Sequence, residues 1–127
     1  MALKIELKPR ERIIIGESII TNDGHRTKLT IEGMAPILRE NDIMLPEEAK
    51  TPCENIYVLV QMMYLDKDPA RLHKMYFEMI NDVLNAAPST IDHIDRLNNK
   101  ILTGAYYKAL KETKALIAYE KELMNNA

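Results

Sequence analysis

The sequence predicts an α+β fold, a short N-terminal antiparallel β meander followed by a four-helix C-terminal part. Two observations carry that prediction. Apolar and polar residues alternate from Leu3 to Leu7 and again from Thr27 to Ile31, the period of a strand with one buried face. Beyond Thr51 the apolar period lengthens to that of a helix, and helix-start chemistry recurs at Thr51-Pro52, Asp68-Pro69 and Ser89-Thr90. The 127 residues are read as one domain, 1–127, with a β-rich part at 1–44 and a helical part at 45–127.

In order, Leu3, Ile5 and Leu7 form one face of a first strand, which Pro9 ends. Arg12 to Ile15 is rich in β-branched residues, and Gly16-Glu17 turns it into Ser18–Thr21. Asn22-Asp23-Gly24-His25 has the chemistry of a hairpin turn, with Asp-Gly supplying positive φ. Thr27, Leu29 and Ile31 give another strand, closed by Gly33, and Pro36 to Glu40 is a shorter candidate.

The character changes at Leu45-Pro46. Thr51-Pro52-Cys53-Glu54 combines a capping box with proline in the first helical turn, so a helix starts there. Its body, Ile56 to Leu65, is apolar nearly all round, which marks a central buried helix. Asp68-Pro69 opens a second helix, with its stripe at Leu72, Met75/Tyr76, Met79/Ile80 and Val83 and its stop at Pro88. Ser89 to Asp92 caps a third, carried by Ile91, Ile94, Leu97 and Ile101 and ended by Gly104. The fourth runs from about Ala105 to Leu123, with Tyr106, Leu110, Thr113 and Ile117 on one face, and forms an αα-hairpin with the third. Short connections favour one α+β unit.

Composition narrows the function. Apolar residues at 46% and charged residues at 28% sit near the globular average, which argues against disorder, and the net charge of −2 by itself says nothing about partners. Cys53 is the one cysteine, which fits a reducing compartment, and the charged N-terminus does not read as a secretory signal. The longest apolar run is about half of what a bilayer requires. A cytoplasmic protein without a membrane partner is the expectation. The glycines make no phosphate loop, His25, His73 and His93 have no metal-ligand spacing, and Cys53 has no nearby histidine base. Neither enzyme nor cofactor or metal site is expected.

Two sets of residues remain as candidates. Lys4, Lys8, Arg10, Arg12, Arg26, Lys28 and Arg39 give the stretch 1–39 seven basic residues against five acidic. Lys4 and Lys8 share one strand face, as do Arg26 and Lys28, so neighbouring strands would bring them into a basic stripe for a polyanion. The plainer reading is a set of solubilising charges interleaved with Glu6, Glu11, Glu17 and Glu32. No aromatic residue precedes Tyr57, so this part cannot stack bases as other RNA-binding sheets do. The second set, Tyr57, Met62, Met63, Tyr64, Met75 and Met79 with Tyr76 and Phe77, suits either an adaptable groove for a partner helix or core packing.

The chain resembles the FlbT family, flagellin-synthesis repressors of alphaproteobacteria, over essentially its whole length. The resemblance rests on Met1-Ala-Leu-Lys with Leu7-Lys-Pro9, Leu38 to Met44, Pro46 to Pro52, Ile56-Tyr57, Met63 to Asp66, Tyr106 to Leu110 and Leu116 to Glu120. It implies a post-transcriptional regulator that acts on the 5′ untranslated leader of flagellin mRNA and promotes its degradation by cellular nucleases. It also implies a small helical partner, FlaF, that opposes the effect, and some members act as activators. Family members commonly carry glycine where this chain has Arg10, and two arginines where it has His25-Arg26. The N-terminal part is also similar to the carbon storage regulator family, in Leu3-x-Ile5, Glu11-x-x-x-Ile15-Gly16 and Ala35 to Glu40. That likeness implies an RNA surface of strand edges centred on Leu3, Lys4 and Arg39. The leading expectation is therefore an RNA-binding regulator. Its rival is an adaptor or secretion-chaperone-like module that holds flagellin or FlaF on the Met/Tyr surface. Edge strands in so short a β segment also invite pairing between copies of the chain.

Overall fold

The alternation at the N-terminus produces strands, and the computed structural model, which describes residues 2–126, shows how they pair. Met1 and Ala127, the ends of the 1–127 span and part of the first segment of resemblance, lie outside the described residues. The chain divides into two units, Met1–Ile43 and Met44–Ala127.

The first unit holds β1 (Ala2–Leu7), β2 (Arg12–Ile15), β3 (Ser18–Thr21), β4 (Thr27–Glu32) and β5 (Ile37–Arg39). All pairs are antiparallel, in two small sheets ordered β1–β4 and β3–β2–β5. Only β2 and β3 follow the simple order of a meander. The reason lies in the side chains. The β1–β4 register sets Leu3 against Ile31 and Ile5 against Leu29, joining two alternating strands by their apolar faces. Strand β2, with Ile13 and Ile14 both buried, is apolar on both faces and takes β5 as a second neighbour. Ile5, Leu7 and Ile13 form the core, with Ile15, Leu29, Ile31 and Ile37 packed against it.

The Asn22–His25 turn is real but joins strands of different sheets, so it is not the expected hairpin. Gly24 is not among the residues at positive φ. Asn22 builds the turn instead. Its Oδ1 accepts from the Gly24 N–H at 3.1 Å, and its Nδ2 reaches the carbonyls of Leu7 and Lys8 at 3.1 Å and of His25 at 2.9 Å. The β1–β2 turn needs a left-handed residue, and Arg10 fills that place at φ 67°. Its N–H donates to the Asn22 carbonyl at 2.6 Å. A side chain costs about 1–2 kcal/mol in that region, a strain that glycine would not carry.

The second unit holds α1 (Pro52–Leu65), α2 (His73–Ala86), α3 (Ile91–Leu102) and α4 (Tyr106–Asn125). Helix α1 starts as its sequence dictates. Thr51 Oγ1 accepts from the Glu54 N–H at 3.1 Å, and Glu54 Oε1 accepts from the Thr51 N–H at 3.2 Å. Every residue from Ile56 to Gln61 is buried, as an all-round apolar helix requires. The starts of α2 and α3 differ from expectation. Neither Asp68 nor Ser89 caps a helix, because Pro69 and Pro88 each open a 3₁₀ turn that runs into the α-helix. Asp68 donates its N–H to Asp66 Oδ1 at 2.8 Å, and Ser89 Oγ accepts from the Tyr119 hydroxyl at 2.7 Å.

Helix α3 buries Ile94, Leu97 and Ile101, whereas Ile91 lies exposed at its start. It ends in a Schellman motif. Gly104 sits at φ 76°, its N–H bonds the Ile101 carbonyl at 3.2 Å, and the Ala105 N–H bonds that of Lys100 at 2.8 Å. Helix α4 packs on both α1 and α3 through Ala109, Leu110, Thr113 and Leu116. Tyr106 and Ile117 fall at the edges of that stripe, half-buried. Thr113 is tolerated inside because its hydroxyl donates to the Ala109 carbonyl at 2.7 Å. No helix among the described residues is long and apolar enough to cross a membrane.

Candidate nucleic-acid interface

Pairing of β1 with β4 decides which basic side chains share a face. Lys4 lies opposite Thr30 and Glu6 opposite Lys28, so all four project to the side away from Ile5 and Leu29. Arg26, one residue before β4, reaches the same face and donates from Nη1 to Glu6 Oε1 at 2.6 Å. That hydrogen bond, with the charges of Arg26 and Lys28, holds the Glu6 carboxyl below the usual carboxylate range. Lys4, Lys28 and Arg26 therefore share the polar face of the ribbon with two acidic residues, Glu6 and Glu32, the latter opposite Ala2. Lys8 lies just past the end of β1, and its backbone N–H donates to Glu11 Oε1 at 2.9 Å. Glu11 is likewise held low, first by that backbone bond and then by Arg39.

Arg39 ends β5 and bridges the two sheets. Its Nη2 donates to the Glu6 carbonyl at 2.9 Å and lies 3.4 Å from Glu11 Oε2. The counter-ion the fold brings to Arg39 is Glu11, 28 residues back along the chain. With 46% of its side chain exposed, Arg39 keeps part of its guanidinium open to a ligand. Arg12 is committed more fully. Its Nε lies 3.1 Å from Glu40 Oε1, and its backbone N–H donates to Oε2 at 2.5 Å. Arg10 is exposed in its turn. Counted over the whole unit, Glu40 and Asp42 bring the acidic residues to seven, level with the seven basic ones.

The Met/Tyr set is not brought together. Tyr57 and Met63 are buried in the helical unit, Met62 and Met75 are exposed, and Tyr64 and Met79 are half-buried. Cys53 is buried too, and burial first, then Glu120, pushes its thiol pKa up. Sequence reasoning missed Glu120. Its Oε1 accepts from the Thr51 hydroxyl at 2.6 Å and its Oε2 from the Cys53 N–H at 3.1 Å, so α4 finishes the capping of α1. Glu120 also lines a small apolar cavity of about 150 Å³ with Pro52, Cys53, Val83, Ala86 and Leu123. No local pattern reveals a partner 69 residues away. Of the histidines, His73 Nε2 lies 2.8 Å from the Tyr106 hydroxyl and His93 Nδ1 lies 3.1 Å from Arg96 Nη2.

Comparison with known proteins gives a consistent result. Residues 3–124 match the sequence model of the family described as "Flagellar protein FlbT". A Bradyrhizobium diazoefficiens protein named "Probable flagellum biosynthesis repressor protein FlbT 1" is 51% identical over 124 residues, 97% of this chain and 85% of its own. A Rhodopseudomonas palustris relative is 48% identical over 98% of this chain and 99% of its own length. The Caulobacter vibrioides "Flagellum biosynthesis repressor protein FlbT" is 32% identical over 99% of this chain and 92% of its own. No solved structure matches the chain.

Proposed function

The chain belongs to the FlbT family of flagellar proteins, and from that premise we propose that it represses flagellum biosynthesis by binding the 5′ leader of flagellin mRNA and promoting its degradation. The names of its relatives support the repressor role. The polar face of the β1–β4 ribbon supports RNA as the target, since Lys4, Lys28 and Arg26 lie together on it, three cations against Glu6 and Glu32. In this reading the lysines and Arg26 neutralise phosphates and position the strand. Arg39, planar and partly open beside the end of β1, reads a base edge. Degradation itself falls to cellular nucleases.

The decisive test is a titration of the purified protein with a flagellin leader RNA and a scrambled control over a range of salt. About four phosphate contacts give a slope of log K against log[salt] near −3, at roughly −0.7 per contact on a single strand. Tighter binding to the leader than to the control is the expected result. A flat salt response overturns direct electrostatic recognition.

A further inference from the structure

We propose that two copies of the chain associate by pairing the outer edges of β3, antiparallel about a two-fold axis through Ile20. Strand β3 ends the sheet ordered β3–β2–β5, so among the described residues one of its sides is paired and the other is not. All four of its residues are exposed, with Ile19 at 55% and Ile20 at 41%, although successive side chains point to opposite faces. An uncovered strand with isoleucine at its centre is a template for pairing with another chain. Every other open edge is blunted. Strand β1 carries Lys4 and Glu6, β4 carries Lys28 and Glu32, and β5 follows Pro36 and ends in Arg39. Ser18-Ile19-Ile20-Thr21 has neither charge nor proline, so the edge that suits it best is a second copy of itself.

The hydrogen bonds already made fix the register. The Asn22 N–H donates to the Glu11 carbonyl at 3.0 Å and the Asn22 carbonyl accepts from Arg10 at 2.6 Å, so the backbone of residue 22 faces β2. On the far side of β2 the Gly16 N–H donates to the Pro36 carbonyl at 2.8 Å, so residue 16 faces β5 and residues 13 and 15 face β3. The two observations agree. Ile13–Ile20 and Ile15–Ser18 are the hydrogen-bonded pairs, and Ile19 and Thr21 turn their N–H and C=O groups to the open edge. Residues opposite one another in an antiparallel pair must both face the neighbouring strand or both face away. Ile19 therefore cannot lie opposite Ile20 of the second copy. The register that centres the strand sets Ile19 against Thr21 of the second copy, twice over, and Ile20 against itself. Ile20 then occupies a non-hydrogen-bonded position, where side chains come closest. Because Ile13 lies opposite Ile20 within each copy, a row of four isoleucines crosses the joined sheet. The symmetric contact consumes both β3 edges and closes as a dimer rather than a fibre. So short an edge gives an interface below about 1,200 Å², which makes the dimer weak and reversible.

The association needs no RNA, so its failure leaves the regulator reading untouched. Sedimentation equilibrium of the full chain from about 1 μM to about 1 mM is expected to show monomer and dimer in exchange. Ile20→Lys sets two ammonium groups face to face on the axis and is expected to weaken dimerisation by about 10-fold or more, with thermal melts checking that this exposed site still folds. Cross-linking tests the register. Ile20→Cys is expected to form a disulfide-linked dimer under mild oxidation, since its Cα lies about 4.5 Å from its copy. Ile19→Cys is not, since its copy lies diagonally at about 7–8 Å, beyond the reach of a disulfide. Wild type, whose one cysteine is buried, is the blank. A monomer at every concentration, an Ile20→Lys dimer as strong as wild type, or cross-linking of Ile19→Cys in place of Ile20→Cys overturns the proposal.

Discussion

The two units keep their structure by different means. In the β-rich unit a handful of buried apolar residues, Ile5, Leu7, Ile13, Ile14 and Leu38, is supplemented by polar ties, with Asn22 holding two turns and Arg12, Arg26 and Arg39 each answered by a carboxylate. In the helical unit the apolar positions run from Cys53 to Leu116, and most are wholly buried. Counting charges misleads in the first unit, since an arginine that orders a turn contributes little to attracting a polyanion. Lys4 and Lys28 are the cations there whose task is least structural.

That contrast can be broken or sharpened by substitution, beginning where the effect is largest. Leu97→Ala opens a cavity under a fully buried side chain of α3 and is expected to cost about 2–5 kcal/mol in denaturant unfolding. A loss below about 1 kcal/mol would show that the helical core relaxes around the hole and is looser than its burial suggests. Arg39→Lys is next and acts on function. It retains charge but not the planar fork, so discrimination between leader and scrambled RNA is expected to fall by about 1–3 kcal/mol, while general affinity changes little. Unchanged discrimination reassigns Arg39 to holding the two sheets together.

Thr51→Ala removes an N-cap that both accepts from Glu54 and donates to Glu120, and a loss on the order of 1 kcal/mol in thermal melts is expected. Arg10→Gly is the smallest effect and the only gain. Relief of the left-handed strain, less the greater entropy of glycine in the unfolded chain, leaves a stabilisation of about 0.5–1 kcal/mol. A loss of stability would mean that the Arg10 side chain contributes more than its backbone costs.

What the sequence revealed depended on distance along the chain. The Thr51–Glu54 box was legible because all its atoms lie within one turn, and so was the Gly104 stop. The alternation of β1 and β4 was legible as well, but not that they pair, because nothing between Leu7 and Thr27 encodes a skipped neighbour. The Asp23-Gly24 signal was overvalued, since Asn22 bonds its own turn and relieves Gly24 of the need for positive φ. The basic set was readable as composition, while its division into paired arginines and open lysines depends on contacts such as Arg12–Glu40, 28 residues apart.

The reach of Glu120 to the start of α1 bears on the order in which the helical unit assembles. The Thr51–Glu54 box closes across 3 residues, whereas the Glu120 bond to Thr51 closes across 69. At about 0.6 kcal/mol per doubling of loop length, the longer closure costs roughly 3 kcal/mol more in chain entropy. The local box can therefore form while the chain is still largely open, and the carboxylate arrives only when α4 docks. Weakening such a late contact is expected to hasten unfolding and leave the folding rate almost untouched, which stopped-flow folding kinetics of Glu120→Gln would check. Glu120 acts as a latch on a helix that has already begun without it.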